Sequence, residues 1–387
     1  MTNKSSIFKE FVASGKLGSL LLFTCVVISL FIANSSIQQD FNNLLNTQLG
    51  ANFGNIHLTY SLATWVNDGL MAIFFLLVGL EIKRELVHGE LSSPRKAALP
   101  IFAAMGGMLI PALIYFLFNK NHDTAGGWGI PMATDIAFAL ALISVLGKHI
   151  PSSLKIFLAA LAIVDDLGAI IVIAVFYTEQ IHWDYLLMAS GVLALLITIN
   201  YFKISALWIY LILGLFLWYF LHHSGIHATI AGVLLALCIP IKTKEKTPAL
   251  IRLEHSLTKP VNFLIMPIFA LANTNISFRN EMLDGLFSPL GLGIVLGLFV
   301  GKTLGITLFS WFATKMRVAN LPSGANWKHM TGVGMLAGIG FTMSIFISLL
   351  SFNNNDYILT AKFAVLCASF LSGLIGFVYL RFFTAKT

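Results

Sequence analysis

Leu154-Lys-Ile-Phe-Leu-Ala-Ala-Leu-Ala-Ile-Val-Asp-Asp-Leu-Gly-Ala-Ile-Ile-Val-Ile-Ala-Val-Phe-Tyr177 decides how this chain is read. The run is long enough to cross a bilayer, which takes about 20 apolar residues. Its centre nevertheless holds two adjacent acids, Asp165 and Asp166. A charge at that depth costs about 2.5–3.5 kcal/mol on insertion scales and is retained only for a reason. Composition shows that the run belongs in lipid. Of 387 residues 57% are apolar and 11% charged, where soluble domains have about 45–50% and about 25%. Disordered chains are apolar-poor and charge-rich, so disorder is excluded as well. About 220 apolar residues allow ten to twelve spans.

Working outward from 154–177, apolar runs predict twelve membrane helices, at roughly 17–34, 62–82, 97–118, 127–146, 154–177, 185–200, 204–220, 226–241, 249–274, 289–312, 329–350 and 357–380. The Lys and Arg residues alternate with them. The N-terminus, every second connection and the C-terminal tail hold twenty, from Lys4, Lys9 and Lys16 to Arg381 and Lys386; the opposite connections hold Lys120 and Arg279. This is the positive-inside pattern, and it places both termini of a multi-pass membrane protein in the cytoplasm. The net charge of +7 therefore reflects topology and not nucleic-acid binding. The run at 17–34 resembles a signal peptide, but the alternation holds only if it stays as the first helix. Cys25, Cys238 and Cys367 are odd in number and lie within apolar runs, which gives no disulfide or zinc framework.

Further ionisable residues within the runs include Asp68, Glu81, Asp135, Lys302 and Lys362. Adjacent helical residues point about 100° apart, so Asp165 and Asp166 cannot both face one partner; one can pair with a cation while the other binds a solute ion. Asp135 lies in Ile130-Pro-Met-Ala-Thr-Asp-Ile-Ala-Phe-Ala139, where Pro131 removes a backbone donor and Thr134 adds an oxygen. Gly332, Gly334, Gly338 and Gly340 weaken the eleventh run, either as a break or for close helix packing. Spans four and eleven run in opposite directions, as middle members of two opposed three-helix units, 3–5 and 10–12. Interrupted helices at corresponding positions of inverted repeats point to a transporter's binding site. Lys302, flanked by Gly301 and Gly305, either neutralises the negative ends of such half-helices or pairs with Asp165. Lys362 is expected to snorkel to the interface.

Ala133-Thr-Asp-Ile-Ala-Phe-Ala139, Ala162-Ile-Val-Asp-Asp-Leu-Gly-Ala169, Phe74-Phe-Leu-Leu-Val-Gly-Leu-Glu81, Ser224-Gly-Ile-His-Ala-Thr229, Gly301-Lys302 and Gly338-Ile-Gly-Phe-Thr-Met-Ser344 closely resemble the bacterial NhaA sodium/proton antiporters, from end to end of the chain. The resemblance implies an all-α fold of twelve membrane helices, with inverted repeats and discontinuous helices 4 and 11. It divides the single unit 1–387 into a core of helices 3–5 and 10–12 (about 97–177 and 289–380) and a panel formed by the others. It implies electrogenic exchange of sodium or lithium for protons, with no cofactor and no covalent chemistry. Asp165 and Asp166 match the ion- and proton-binding pair, with Na+ held there. Asp135 and Thr134 match the unwound fourth helix, Lys302 the essential lysine, and Asp68 a structural acid near the outer part of the second helix. The residue types fit this chemistry, because sodium takes oxygen ligands and the same carboxylates can take protons instead.

Other classes fit less well. An intramembrane aspartyl protease needs acids on separate helices, and no Gly-x4-Gly-Lys-Ser/Thr loop supports a pump. A sodium-coupled symporter of similar fold is the alternative. Glu81 and Glu85 stand one helical turn apart beside Lys83 and Arg84. Glu254 and His255 open the ninth helix on the same side, and this charge cluster, together with His227, is the candidate pH sensor. Ile251 and Thr258 depart from the family pattern there. His222, His223 and His227 have a spacing that suggests zinc, but no carboxylate accompanies them in sequence. The connection 35–61 is predicted to form a hairpin around Gly54, resembling the family's dimer-forming element, which implies a homodimer.

Overall fold

The computed structural model describes residues 4–53, 56–147, 150–178, 180–241, 247–278 and 281–383; side chains at 4–16, 53, 56–57 and 281 are not among those described. Gly54, Lys148, Lys242, Lys244, Lys246, Arg279 and Lys386 lie outside these residues, as do the side chains of Lys4, Lys9 and Lys16.

Every predicted run forms helix: α1 (Lys4–Ala33), α2 (62–88), α3 (Pro94–Asn119), α4 (123–145), α5 (Ser152–Phe176), α6 (Trp183–Tyr201), α7 (Leu207–Ser224), α8 (Ile230–Cys238), α9 (249–273), α10 (Pro289–Lys315), α11 (327–351) and α12 (Asn355–Phe383). Among the described residues six of these are single helices long and apolar enough to cross a membrane. Two are interrupted. In α4, Asp123–Met132 and Ile136–Val145 meet at 41°; in α11, Trp327–Ala337 and Phe341–Ser351 meet at 47°. The protein is a polytopic, all-helical membrane protein with broken helices.

Local chemistry sets the ends. α3 opens on Pro94, whose missing N–H is an orphan at that position in any case. α8 is shorter than the predicted 226–241, because residues 227–229 form tight turns and Pro240 disfavours helix at Ile239. α2 runs past its predicted end to His88, since Lys83, Arg84 and Glu85 are good helix formers. Three wide π-helical turns are features that hydropathy cannot show: Trp65–Leu70 in α2, Val261–Ile265 in α9 just after Pro260, and Gly297–Gly301 in α10.

The chain forms two compact units. The first comprises residues 1–20, 85–172 and 278–387. Its α3 and α10 cross backbone to backbone: a Cβ on Gly106 would lie 2.1 Å from Gly305 O, and one on Gly305 would lie 2.0 Å from Gly106 O. Small residues permit such approaches where lipid supplies no hydrophobic drive. A Cβ on Gly334 would lie 3.1 Å from Thr303 Cα, so α11 packs on α10 by the same device. Its glycines thus do both things the sequence left open, packing and breaking.

The second unit comprises residues 21–84 and 173–277. Leu76, Leu80, Leu196, Tyr210, Leu217, Leu235 and Leu250 form its core, and a Cβ on Gly232 of α8 would lie 2.1 Å from Ala72 O of α2. After α1 the chain turns through 112° into the short helix Gln38–Asn46. The hairpin follows: Gln48–Leu49 pairs antiparallel with Tyr60–Ser61, and Asn52–Phe53 pairs antiparallel with Ile56–His57.

Candidate functional site

The two breaks sit against each other inside the first unit. Pro131 and the extended backbone at Ala133 and Asp135 stop the first half of α4. Asp135 then caps the second half, its Oδ1 accepting from Phe138 N at 3.2 Å. Its Oδ2 accepts from Thr342 N at 3.2 Å and from the Thr342 hydroxyl, in the first turn of Phe341–Ser351. One carboxylate therefore faces the N-terminal ends of two half-helices, each worth about half a positive charge. Asp135 N donates to Ile339 O at 2.6 Å, which locks the crossing.

The carbonyl ends are satisfied reciprocally. The Thr134 hydroxyl donates to Ala337 O of α11 at 2.9 Å, and the Ser344 hydroxyl donates to Ile130 O of α4 at 2.7 Å. Exposed backbone at membrane depth survives only with such partners. Ser369 of α12 accepts from Phe341 N at 3.1 Å. Glycine is required here for space: a Cβ on Gly340 would lie 2.1 Å from Ser344 Oγ, and one on Gly338 would lie 2.4 Å from Leu298 O.

Lys302 follows the wide turn Gly297–Gly301 directly, and one extra residue in a turn rotates what comes next by about 100°. Its Nζ lies 2.5 Å from Asp165 Oδ2 and donates to Thr134 Oγ1 at 2.9 Å. Lys302 thus pairs directly with Asp165, while Thr134, which accepts from it, is the group that donates to the carbonyl end of a half-helix. Lys302 is 1% exposed, Asp165 and Asp135 are 2% and Asp166 is 3%. Asp165 Oδ1 is buried and accepts no hydrogen bond among the described residues. Three acids, one ammonium and the hydroxyls of Thr134 and Thr342 form a buried, oxygen-rich, net acidic site. It offers oxygen ligands for a hard cation and carboxylates for protons.

The family described as Na+/H+ antiporter 1 matches residues 9–380. The Na+/H+ antiporter NhaA 2 of Flavobacterium johnsoniae is 58% identical over 375 residues, 97% of this chain and 92% of that protein. The chain belongs to the NhaA family of sodium/proton antiporters. These are secondary transporters, not enzymes. The NhaA of Flavobacterium psychrophilum is 49% identical, covering 99% of this chain and 98% of that protein. The structure of the sodium proton antiporter MjNhaP1 from Methanocaldococcus jannaschii has a TM-score of 0.54 at 12% identity, over 98% and 99% of the two chains, a likeness of fold alone.

The remaining candidates of this NhaA-family chain lie elsewhere. Glu254 is buried and its carboxylate pairs with Arg84. Lys83 donates to Leu237 O at 2.6 Å and Ile239 O at 2.5 Å, closing the C-terminal end of α8. Glu81 is half-buried, His255 is exposed, and Glu85 accepts from Glu90 N at 2.9 Å. His227 is not with them. It precedes α8 at the opposite end from Lys83, and α8 alone is nine residues, about 13 Å.

Asp68, on the wide turn of α2, lies 3.5 Å from His222 Nδ1, and Trp218 stacks on His222 with ring centroids 5.5 Å apart. A carboxylate does accompany these histidines, which corrects the reading from spacing. Among the described residues no three potential ligands group as a metal site. Lys362, expected to snorkel, is 8% exposed. Sequence reasoning missed Thr342 and Ser344; their positions in the Gly338–Ser344 string, just past a glycine break, were the available signal.

Proposed function

We propose that the protein exports sodium, and lithium as a second substrate, in electrogenic exchange for inward-moving protons by alternating access at Asp165 and Asp166. The observation that carries this reading is the buried Asp165 carboxylate, with one oxygen on Lys302 and the other without a hydrogen bond, beside a second buried acid. Two adjacent carboxylates against one ammonium are net negative; one sodium ion neutralises the sum, whereas protons on both carboxylates take its place on the same oxygens, so more protons enter than sodium ions leave and a net charge crosses. Asp135 stays out of the exchange, since the N-terminal ends of two half-helices balance its charge. Competition of sodium and protons for the same oxygens couples the two fluxes. Each net charge crossing gains about 2.3 kcal/mol per 100 mV, so an inside-negative potential drives sodium out.

In this reading helices 3–5 and 10–12 form the moving core, two inverted repeats that cross at their breaks, and the other helices form the panel. Both termini are cytoplasmic, as the Lys and Arg alternation requires. The Arg84–Glu254 pair, with Glu81, Glu85 and His255, sets the pH of activation, and the hairpin of 35–61 joins two copies. The test is sodium-dependent dequenching of a pH dye in everted vesicles with no organic solute present. Exchange in the wild type and none in Asp166→Asn is expected. Near wild-type exchange in that variant removes Asp166 from the mechanism, and a requirement for an organic solute replaces antiport by symport.

A further inference from the structure

The first half of α11 is capped at one end by a titratable group and ends at the ion site at the other. Asn326, in extended backbone, accepts from His329 N through its Oδ1 at 3.0 Å; Asn326 N in turn donates to His329 Nδ1 at 3.2 Å. This is a capping box, in which the third helical residue ordinarily is Glu or Gln. Here it is a histidine, 6% exposed.

His329 Nδ1 also lies 2.8 Å from Asn326 Oδ1, so one ring nitrogen is within bonding reach of both a donor and an acceptor. The two bonds exclude each other. In the neutral Nε2–H tautomer, Nδ1 accepts from Asn326 N and the box is closed. With a proton, Nδ1 donates to Oδ1 and Asn326 N loses its partner. The imidazolium is then also a positive charge at the positive end of a helix. The elements packed on this turn add only cations: Lys315 and Arg317 at and after the end of α10, Arg381 on α12, and Lys328 alongside; the Ile136–Val145 half has no charged residue. Tyr379 of α12 is the remaining titratable group there, and among the described residues none of these five bonds to the ring.

We propose that His329 is a proton-operated cap on α11, closed when neutral and open when protonated, which loosens the half-helix whose far end, Ala337 O, holds Thr134 at the ion site. Trp327–Ala337 is eleven residues, about 16 Å. The acting pH is that of the Lys- and Arg-rich face, which the exchange reading above places in the cytoplasm.

His329→Gln keeps the box and removes the proton. Two measurements separate the cap from transport. In hydrogen exchange of purified protein, wild-type amides of 326–330 are expected to lose protection below neutral pH relative to His329→Gln, and to match it at pH 8.5. In vesicles, the variant and wild type are expected to be equally active at pH 8.5, with the variant progressively more active as the pH falls, several-fold at pH 5.5. Equal protection of wild type and variant at every pH overturns the cap. Altered protection with superimposable transport profiles overturns its coupling to the ion site. A wild type without sodium/proton exchange defeats the exchange reading, while the protection measurement still decides the cap.

Discussion

Lys302→Ala is the most informative perturbation, because the structure fixes its cost. The side chain is 1% exposed and its Nζ hydrogen-bonds Asp165 Oδ2 and Thr134 Oγ1. Truncation strands a buried carboxylate, and breaking a buried pair by removing one partner costs about 3–5 kcal/mol. Asp165 can limit that loss by taking a proton. The cost of doing so falls by about 1.4 kcal/mol for each unit the pH drops. The deficit of the variant is therefore fully present at alkaline pH and shrinks as the solution becomes acid. With about 2.1 cal/mol/K of unfolding entropy per residue, a 387-residue chain loses about 4–6 °C of Tm. The assay is thermal unfolding in detergent from pH 5 to 8.5, with Lys302→Ala, Asp165→Asn and the double variant. The double variant is expected to recover much of the loss, since an amide needs no counter-charge. A Lys302→Ala melting temperature equal to wild type at pH 8.5 refutes the pair as a stabilising contact.

Three further outcomes are expected. Ser344→Ala leaves Ile130 O without its donor, at a cost of about 1–3 kcal/mol; sodium KM in vesicles rises severalfold and Ser344→Thr restores part of it, whereas an unchanged KM removes this hydroxyl from the site's support. Gly305→Ala drives a methyl to 2.0 Å from Gly106 O, so α3 and α10 separate and folded yield in detergent falls sharply; wild-type yield would contradict the crossing. Glu254→Gln weakens the Arg84 pair and moves the pH of half-activation while leaving maximal exchange largely intact, and a superimposable profile excludes this cluster as the sensor.

The helices and the central charges were legible because lipid permits few exceptions. An apolar run with Asp165 and Asp166 at its centre, or with Lys302 between glycines, stands out in any reading. Pro131 and the glycine string located both breaks. What completes the breaks was not legible, since Thr342 and Ser344 are residues that occur in any membrane helix and acquire meaning only once residues about 200 apart meet. The wide turn before Lys302 depends on contacts such as Gly301 against Pro111 that no local pattern encodes. Asp68 and His222 lie on separate helices, so spacing could suggest a metal among the histidines but could not supply the acid beside them.

The reciprocal hydroxyls also impose a timetable on synthesis. Thr134 is bonded across 203 positions of chain and Ser344 across 214. At about 5–20 residues per second, the carbonyl at Ile130 waits about 10–40 seconds for the donor that completes it. During that interval an interrupted helix with bare backbone groups has to be sheltered from hydrocarbon, while α5 to α10 are still being made. Chains stopped before residue 337 are thus expected to hold α4 in a protease-sensitive state in the membrane, and chains extended past 344 to protect it. The fourth helix is among the early segments to be synthesised and among the last to be finished.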